Sequence, residues 1–253
     1  MKLVGKDKMK NIAPLFGGWN EVGILSCLQG HVGQAFVDNE DVPSVAMICH
    51  SGFCYVAGDA ESPRAKELLW NIHKDCMELQ LRDEEWQRLA EREFGKKIEK
   101  FTRYKFKRNA ELFDREKLQG YIDALPDGYE IAKIDERMFK CLRTYEWAEY
   151  HCAQFISFEE LRKYAIGFVV LYDGEPICAA TPFYYCDEAI DIQIDTVEEH
   201  RRKGIATACA ARLILDCLDR WIFPNWSADC AESRYLAEKL GYELDKEDVS
   251  YAI

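Results

Sequence analysis

The stretch IDTVEEHRRKGIAT, residues 194–207, decides the fold of the C-terminal half of this chain. Its first residues end the segment Ala189–Thr196, in which isoleucines alternate strictly with Asp, Gln and Asp. That alternation is typical of a half-buried β-strand with one apolar and one polar face. Gly204 ends the charged turn that follows, and we expect a helix over residues 207–218. The stretch therefore predicts a strand, a short polar loop and a helix start in direct succession.

The predicted helix start is suited to bind a pyrophosphate. Backbone N–H groups in the turn and the first helical turn have no intrahelical acceptor, and the helix dipole attracts anions. Gly204 gives phosphate oxygens access to the backbone, Ala206 keeps the first turn thin, and the basic residues 201–203 add charge. The chain has neither a Walker loop nor a G-x-G-x-x-G dinucleotide motif. Taken alone, the pattern also fits the basic start of an amphipathic helix.

Two motifs resemble those of a known family. The R-x-x-G-x-A pattern at Arg201, Gly204 and Ala206 resembles motif A of the GNAT acyltransferases. Further on, YLAEKLGY at residues 235–242 resembles the end of motif B, and the segments TVEEHRRKG and LAEKLGY are similar to the zwittermicin-A-resistance-like group. The resemblance covers about residues 129–253. It implies a GNAT N-acetyltransferase that moves an acetyl group from acetyl-CoA to an amine by direct attack in a ternary complex.

The resemblance also implies which residues bind acetyl-CoA, the co-substrate. The backbone of the strand end would pair with the pantetheine arm as an added strand, through Ile194, Asp195 and Thr196. Backbone amides of the loop and helix start would hold the pyrophosphate, through Arg202, Lys203, Gly204, Ile205, Ala206 and Thr207. The acetyl carbonyl would lie where the central strands splay apart.

The expected general acid of the family is missing. Many members have a Tyr seven residues after an Asn in motif B, but here Cys230 and Ala237 occupy those positions. Tyr235 is two residues earlier, so on a helix its side chain points to another face than position 237. Tyr242 and Tyr251 are substitutes that the sequence leaves open.

Two carboxylates are the candidate catalytic bases. Asp191 and Asp195 lie on the polar face of the strand that leads into the predicted CoA loop. A partly desolvated carboxylate there could take the proton of the incoming ammonium, directly or through a water. The alternative is that both are the solvated side of a half-buried strand. We interpret His200 as a packing residue before the loop.

We expect residues 1–125 to form a mixed α+β domain of undisclosed role and residues 126–253 to form the GNAT domain. The boundary is predicted at the turn of residues 126–128. Short apolar runs at residues 36–37, 44–49 and 53–56 predict strands, and the residues 62–74 and 83–94 predict helices. The fold class is therefore α+β with mixed sheets. We find no internal repeat in the sequence.

Composition limits the partners. The net charge of −12 and the isoelectric point of about 5.0 argue against a nucleic-acid partner and favour a small cationic amine. An alternative is an interaction or nucleic-acid-binding protein that uses the basic residues 96–108. A non-catalytic acyl-CoA-binding module is a further alternative, because position 237 lacks the family's Tyr.

Several features predict a cytoplasmic protein. Neither a secretory signal nor an apolar run of membrane-spanning length is evident, so we expect no membrane contact. Eleven cysteines without a C-x-x-C pair predict reduced thiols. His31, His50 and His73 have no partner at metal-ligand spacing, so we expect no metal. A homodimer is compatible with the sequence.

Overall fold

The computed structural model describes residues 1–72 and 74–253, so His73 lies outside the described residues. The chain divides into two compact units. The first unit comprises Met1–Arg103 and Glu247–Ile253, and the second comprises Tyr104–Lys246. The boundary expected between residues 125 and 126 falls inside the second unit.

Strands and helices alternate along the chain, as the mixed fold class predicts. The strands are β1 (Lys2–Leu3), β2 (Gln34–Val37), β3 (Val45–His50), β4 (Phe53–Gly58), β5 (Glu78–Leu81), β6 (Glu99–Phe106), β7 (Tyr129–Lys133), β8 (Phe168–Tyr172), β9 (Glu175–Tyr185), β10 (Ala189–Thr196), β11 (Phe223–Asn225), β12 (Ser227–Ala228) and β13 (Leu244–Ala252). The helices are α1 (Met9–Ile12), α2 (Val22–Leu28), α3 (Ala65–Trp70), α4 (Glu84–Phe94), α5 (Arg115–Asp123), α6 (Glu136–Leu142), α7 (Phe158–Tyr164), α8 (Ile205–Asp219) and α9 (Ala231–Leu240). Among the described residues, no helix is both long and apolar enough to cross a membrane.

The first unit is built on the antiparallel meander β1-β2-β3-β4, followed by β5 parallel to β4 and by β13 antiparallel to β5. Strands β3 and β4 are buried on both faces, which explains their nearly continuous apolar sequences. One face packs in a cluster with α3 and α4, where Trp86 is fully buried. The other packs with α1 and α2, around Ile12 and Ile24.

The second unit contains the sheet β7-β8-β9-β10-β11, antiparallel except for the parallel pair β10 and β11. Helix α8 connects these two strands and is buried along most of its length. Ile192 and Ile194 pack with the cluster that contains Ala210, Ala211 and Ile214 of α8. The predicted apolar face of β10 is therefore the one covered by a helix.

Both units share one order of elements. The first runs β1, α1, α2, β2, β3, β4, α3, β5, α4, and the second runs β7, α6, α7, β8, β9, β10, α8, β11, α9, with the two-residue strand β12 inserted between β11 and α9. In each, a helix joins two parallel strands after an antiparallel meander. The repeat was missed in the sequence because the two series differ in element length: α3 has 6 residues and α8 has 15.

Local predictions in the first unit were partly right. Helix α4 begins after Asp83, whose side chain caps two amides of its first turn, as the acidic start predicts. The helix predicted over residues 62–74 is shorter and ends at Trp70, because the Asn71 side-chain amide bonds the Glu67 carbonyl at 2.8 Å. Residues 99–106 of the basic segment form the strand β6. The cations Lys100, Arg103 and Lys107 of the segment contact carboxylates of Glu91, Glu78 and Glu243, respectively.

The prediction of reduced thiols is wrong for one pair of cysteines. Cys49 and Cys54 form a disulfide, since they are direct cross-strand partners in the β3–β4 hairpin with Cα atoms 4.3 Å apart. The number of cysteines does not indicate which residues pair across the β3–β4 hairpin. The other nine cysteines, all within the described residues, are free.

Candidate active site

The central strands of the second unit separate at the end of β10. Residues Ala189 to Asp191 pair with Phe223 to Asn225, and in the described chain the register with β11 ends there. The continuing chain forms β12, which pairs with Tyr104 and Lys105 of β6 instead. The β11-facing edge of residues 192–196 is therefore left open for an extended ligand to hydrogen-bond as an added strand.

A cavity of about 630 Å³ lies beside this open edge. It is formed by the end of β10, the following loop, the first turn of α8 and one face of α9. Its lining residues are Ile194, Asp195, Thr196, His200, Arg201, Arg202, Gly204, Ile205, Ala206, Thr207, Cys230, Glu232, Ser233, Tyr235, Leu236 and Lys239. The volume is within the usual range of about 300–1,000 Å³ for small-molecule and cofactor sites.

The loop between β10 and α8 has an unusual backbone. Gly204 has φ of +81° at the N-cap of α8, and Arg202 has φ of +61°. A Cβ atom at Gly204 would meet nothing within 4 Å, so the glycine is needed for its backbone conformation rather than for space inside the protein. A left-handed non-glycine residue such as Arg202 costs free energy and is most common at functional sites. The first-turn residues of α8 line the cavity, and none of them is acidic.

The outer side of this loop is held by aromatic residues of β7 and β8. The Tyr129 hydroxyl lies 2.9 Å from His200 Nδ1 and accepts from Lys203 Nζ at 3.3 Å. The Tyr172 ring contacts both His200 and Tyr129. These contacts agree with a packing role for His200. They also direct the Lys203 side chain to Tyr129, and Lys203 is the one predicted CoA residue that does not line the cavity.

In the described part of the chain, three cations line the cavity together with the carboxylates of Asp195 and Glu232. Arg201 and Arg202 line it, and Lys239 reaches it from α9, where its Nζ donates to Thr207 Oγ1 at 3.3 Å. Thr196 Oγ1 is buried without a hydrogen-bond partner among the described residues. Sequence reasoning missed Lys239, because it was seen only as part of a motif ending. Free amides, cations and an open strand edge together fit a pyrophosphate joined to an extended arm.

The motif B positions differ in their exposure. Ala237 is fully buried in the core of the second unit, whereas Tyr235 is 70% exposed and lines the cavity. The substitutes Tyr242 and Tyr251 bond elsewhere: Tyr242 donates to the Pro224 carbonyl at 2.6 Å, and Tyr251 donates to Glu91 at 2.6 Å. Among the described tyrosines, Tyr235 is therefore the one at the cavity.

Cys230 lies at the N-cap of α9 and also lines the cavity. Partial burial raises the pKa of its thiol. Because the thiolate is the nucleophilic form of cysteine, this shift argues against Cys230 as a carrier of the acyl group.

The two predicted carboxylates lie at different places. Asp195 lines the cavity with its side chain 42% exposed, and it accepts from Gln193 Nε2 at 2.6 Å. Asp191 lies at the last pair with β11, accepts from Asn225 Nδ2 at 2.8 Å, and is not among the lining residues. The geometry therefore favours Asp195 over Asp191 as a group that meets a ligand.

A histidine that the sequence analysis did not single out lies against Asp195. His151 is fully buried, and its Nε2 is 3.1 Å from Asp195 Oδ2. It lies in the irregular segment between α6 and α7, 44 residues before its partner. Sequence spacing does not predict a contact between a residue in an irregular segment and a strand residue that far along the chain.

Comparisons with known proteins agree with this geometry. The family model for GNAT acetyltransferases matches residues 13–251. A crystal structure of a GCN5-related N-acetyltransferase-like protein from Streptococcus suis is 34% identical, covers 97% of this chain and 98% of its own, and has a TM-score of 0.90. The uncharacterised N-acetyltransferase YdfB of Bacillus subtilis is 24% identical, over 87% of this chain and 85% of its own.

A tandem GNAT protein from the clavulanic acid biosynthesis pathway has a similar fold, with a TM-score of 0.60 at 12% identity over 100% of this chain and 98% of its own. The family match includes the first unit, for which the sequence disclosed no role. The chain belongs to the GNAT acetyltransferase family.

Proposed function

We propose that the second unit transfers an acetyl group from acetyl-CoA to the amine of a small cationic acceptor. The observation that carries the proposal is the open edge of β10 leading directly into a left-handed loop and a helix start lined with cations. We also propose membership of the zwittermicin-A-resistance-like group, on the segments TVEEHRRKG and LAEKLGY.

The binding of acetyl-CoA is assigned to backbone groups and cations. The edge of Ile194, Asp195 and Thr196 would pair with the pantetheine arm. The amides from Arg202 to Thr207 would hold the pyrophosphate, with Arg201 and Lys239 neutralising its charge. When bound, acetyl-CoA supplies an acetyl group activated as a thioester.

Asp195 is assigned to the acceptor. Its carboxylate attracts an ammonium group and takes a proton from it, which leaves the neutral amine that attacks the thioester. The net charge of −12 favours the approach of a cation. Direct transfer is what the family resemblance implies, and the raised pKa of the Cys230 thiol disfavours its nucleophilic thiolate form.

Free-thiol release from acetyl-CoA with a panel of amines tests the proposal. We expect polyamine-like or aminosugar acceptors to give faster release than anionic amino acids. A clear preference for anionic acceptors would overturn the assignment of a cationic substrate.

The second candidate function is a non-catalytic acyl-CoA-binding module, which the absence of a tyrosine at Ala237 favours. Calorimetric binding of CoA without thiol release for any amine would support this module. Failure of CoA to bind would contradict both functions.

A further inference from the structure

We propose that His151 and Asp195 form one proton-accepting pair, in which the proton taken from the acceptor ammonium by Asp195 passes to the buried His151 ring. The inference rests on the proposed amine acetylation. It assigns a role to a residue that the CoA site does not use, since His151 is not among the residues that line the cavity.

The two ring nitrogens of His151 have different surroundings. Nδ1 lies 2.7 Å from Thr181 Oγ1, and both side chains are fully buried. Nε2 lies 3.1 Å from Asp195 Oδ2, yet it makes no hydrogen bond with any described residue. The Thr181 hydroxyl can bond either tautomer of the ring. The proposal requires the tautomer in which Nδ1–H donates to Thr181 and Nε2 is unprotonated.

A buried nitrogen without a hydrogen bond costs free energy, and this one lies beside a half-exposed carboxylate with which it can exchange a proton. The neutral imidazole is the form that a dry site favours in the resting state, and an adjacent carboxylate stabilises the charged form. His151 can therefore accept a proton whose charge is balanced by Asp195.

The other charged and titratable groups around His151 are few in the described contacts. Arg143, after α6, donates to the Cys152 carbonyl at 3.2 Å and to that of Phe155. Burial raises the pKa of the adjacent Cys152 thiol to about 12, so that thiol stays neutral. The Trp147 ring lies 5.9 Å from the imidazole. The carboxylate placed against the ring is that of Asp195, on β10.

The proton transfer balances in two steps. An N–H bond of the ammonium breaks and an O–H bond forms on Asp195, which leaves a neutral amine. That proton then moves from Asp195 to His151 Nε2, which restores the carboxylate and creates an imidazolium that donates to both Thr181 and Asp195. The second proton lost by the amine during acyl transfer goes to the departing thiolate. His151 acts through Asp195 and is a positioning residue, not a catalytic residue.

The different basicities of a carboxylate and an imidazole give a reason for pairing Asp195 with His151. An ordinary carboxylic acid has a pKa of about 4 and an imidazole about 6.5, and a base works best when its pKa is near the working pH. A histidine behind the carboxylate therefore adds a stronger base than a carboxylate alone.

The first test is the pH dependence of kcat/KM in His151→Asn and Thr181→Val, with CoA affinity measured beside it. We expect His151→Asn to lose about 10²-fold at neutral pH, with the low-pH limb moved toward the carboxylate range and CoA affinity unchanged. Thr181→Val, which keeps the ring and removes its partner at Nδ1, should give a smaller loss of the same kind. An unchanged low-pH limb of kcat/KM in both variants would overturn the proposal.

The second test reads the ring without turnover. Nitrogen NMR of histidine-labelled protein, with His31→Gln as an assignment control, should show His151 titrating and becoming harder to protonate in Asp195→Asn. The direction follows because removal of the negative charge disfavours the imidazolium. An identical pH titration of the His151 ring in the wild-type protein and in Asp195→Asn would contradict the proposed pair. Absence of thiol release by the wild-type protein would instead contradict the proposed function.

Discussion

The two units repeat one order of elements, yet they differ where their central parallel strands meet. In the first unit, Phe53 to Val56 of β4 pair with Glu78 to Leu81 of β5. The next free carbonyl, at Gly58, accepts from Trp86 Nε1 at 2.8 Å. Trp86 is fully buried, so an indole from α4 occupies the region that in the second unit is an open strand edge. In the first unit the indole therefore fills the space beside the strand edge. A separate cavity of about 570 Å³ lies at the start of α3 and along α4.

The two helices that join the parallel strands, α3 and α8, also differ at their first residues. Helix α8 begins at a left-handed glycine after a run of cations, whereas α3 begins at Arg64 in a right-handed conformation after Asp59 and Glu61. Carboxylates before a helix repel a phosphate, and a six-residue helix has a weaker dipole than one of fifteen residues. The difference supports the proposal that CoA binds to the second unit.

The largest effect is expected at the polar face of β10. Asp195→Asn should lower turnover about 10²–10⁴-fold and remove the low-pH limb of kcat/KM, because the amide cannot accept the ammonium proton. CoA affinity should stay the same. Asp191→Asn is the matched control, since both carboxylates accept from a neighbouring side-chain amide. Near-normal turnover in Asp195→Asn, or a loss confined to Asp191→Asn, would contradict the assignment of the base.

Trp86→Ala tests how the first unit is closed. The change removes a buried side chain and the donor to Gly58, so the free energy of unfolding should fall by about 3–5 kcal/mol in denaturant titrations. Trp86→Phe keeps most of the volume and should cost less. Neither variant should alter CoA affinity, because the proposed CoA loop lies in the second unit. A second CoA bound by Trp86→Ala would show that the tryptophan alone prevents binding there.

Much of the site was predictable because its signals are local. The alternation of β10, Gly204 and the basic residues before it lie within one short stretch, so they could be read directly. Tyr235 was correctly placed on another helical face than Ala237. Only the packing of α9 shows that the face of Tyr235 lines the cavity and that of Ala237 enters the core.

The features that were missed depend on distant contacts. His151 meets Asp195 across 44 residues, and the Cys49–Cys54 disulfide depends on the hairpin register. The repeated topology is hidden because strand order is set by tertiary packing, and the two units fill their cores with different side chains. Sequence periodicity reports which face is buried but not what buries it.

A smaller effect is expected from one cation. Lys239→Ala removes the ammonium beside Thr207 and should weaken CoA binding about tenfold, the loss of roughly one charge-assisted hydrogen bond. Lys163→Ala is the matched control, since both lysines lie on helices of the second unit over a tyrosine ring. Equal affinities for the two variants by calorimetry would remove Lys239 from the site.

The stoichiometry of CoA binding in a calorimetric titration tests the central claim most directly. We expect one CoA per chain, and no measurable binding by a folded Gly204→Glu variant, because the new carboxylate lies against the pyrophosphate. Gly30→Glu is the control for strain: Gly30 has φ of +78° against +81° at Gly204, and neither has an atom within 4 Å of an added Cβ. It should keep full affinity. Two CoA molecules per chain, or one that still binds Gly204→Glu with wild-type affinity, would contradict the claim that the second unit holds the site.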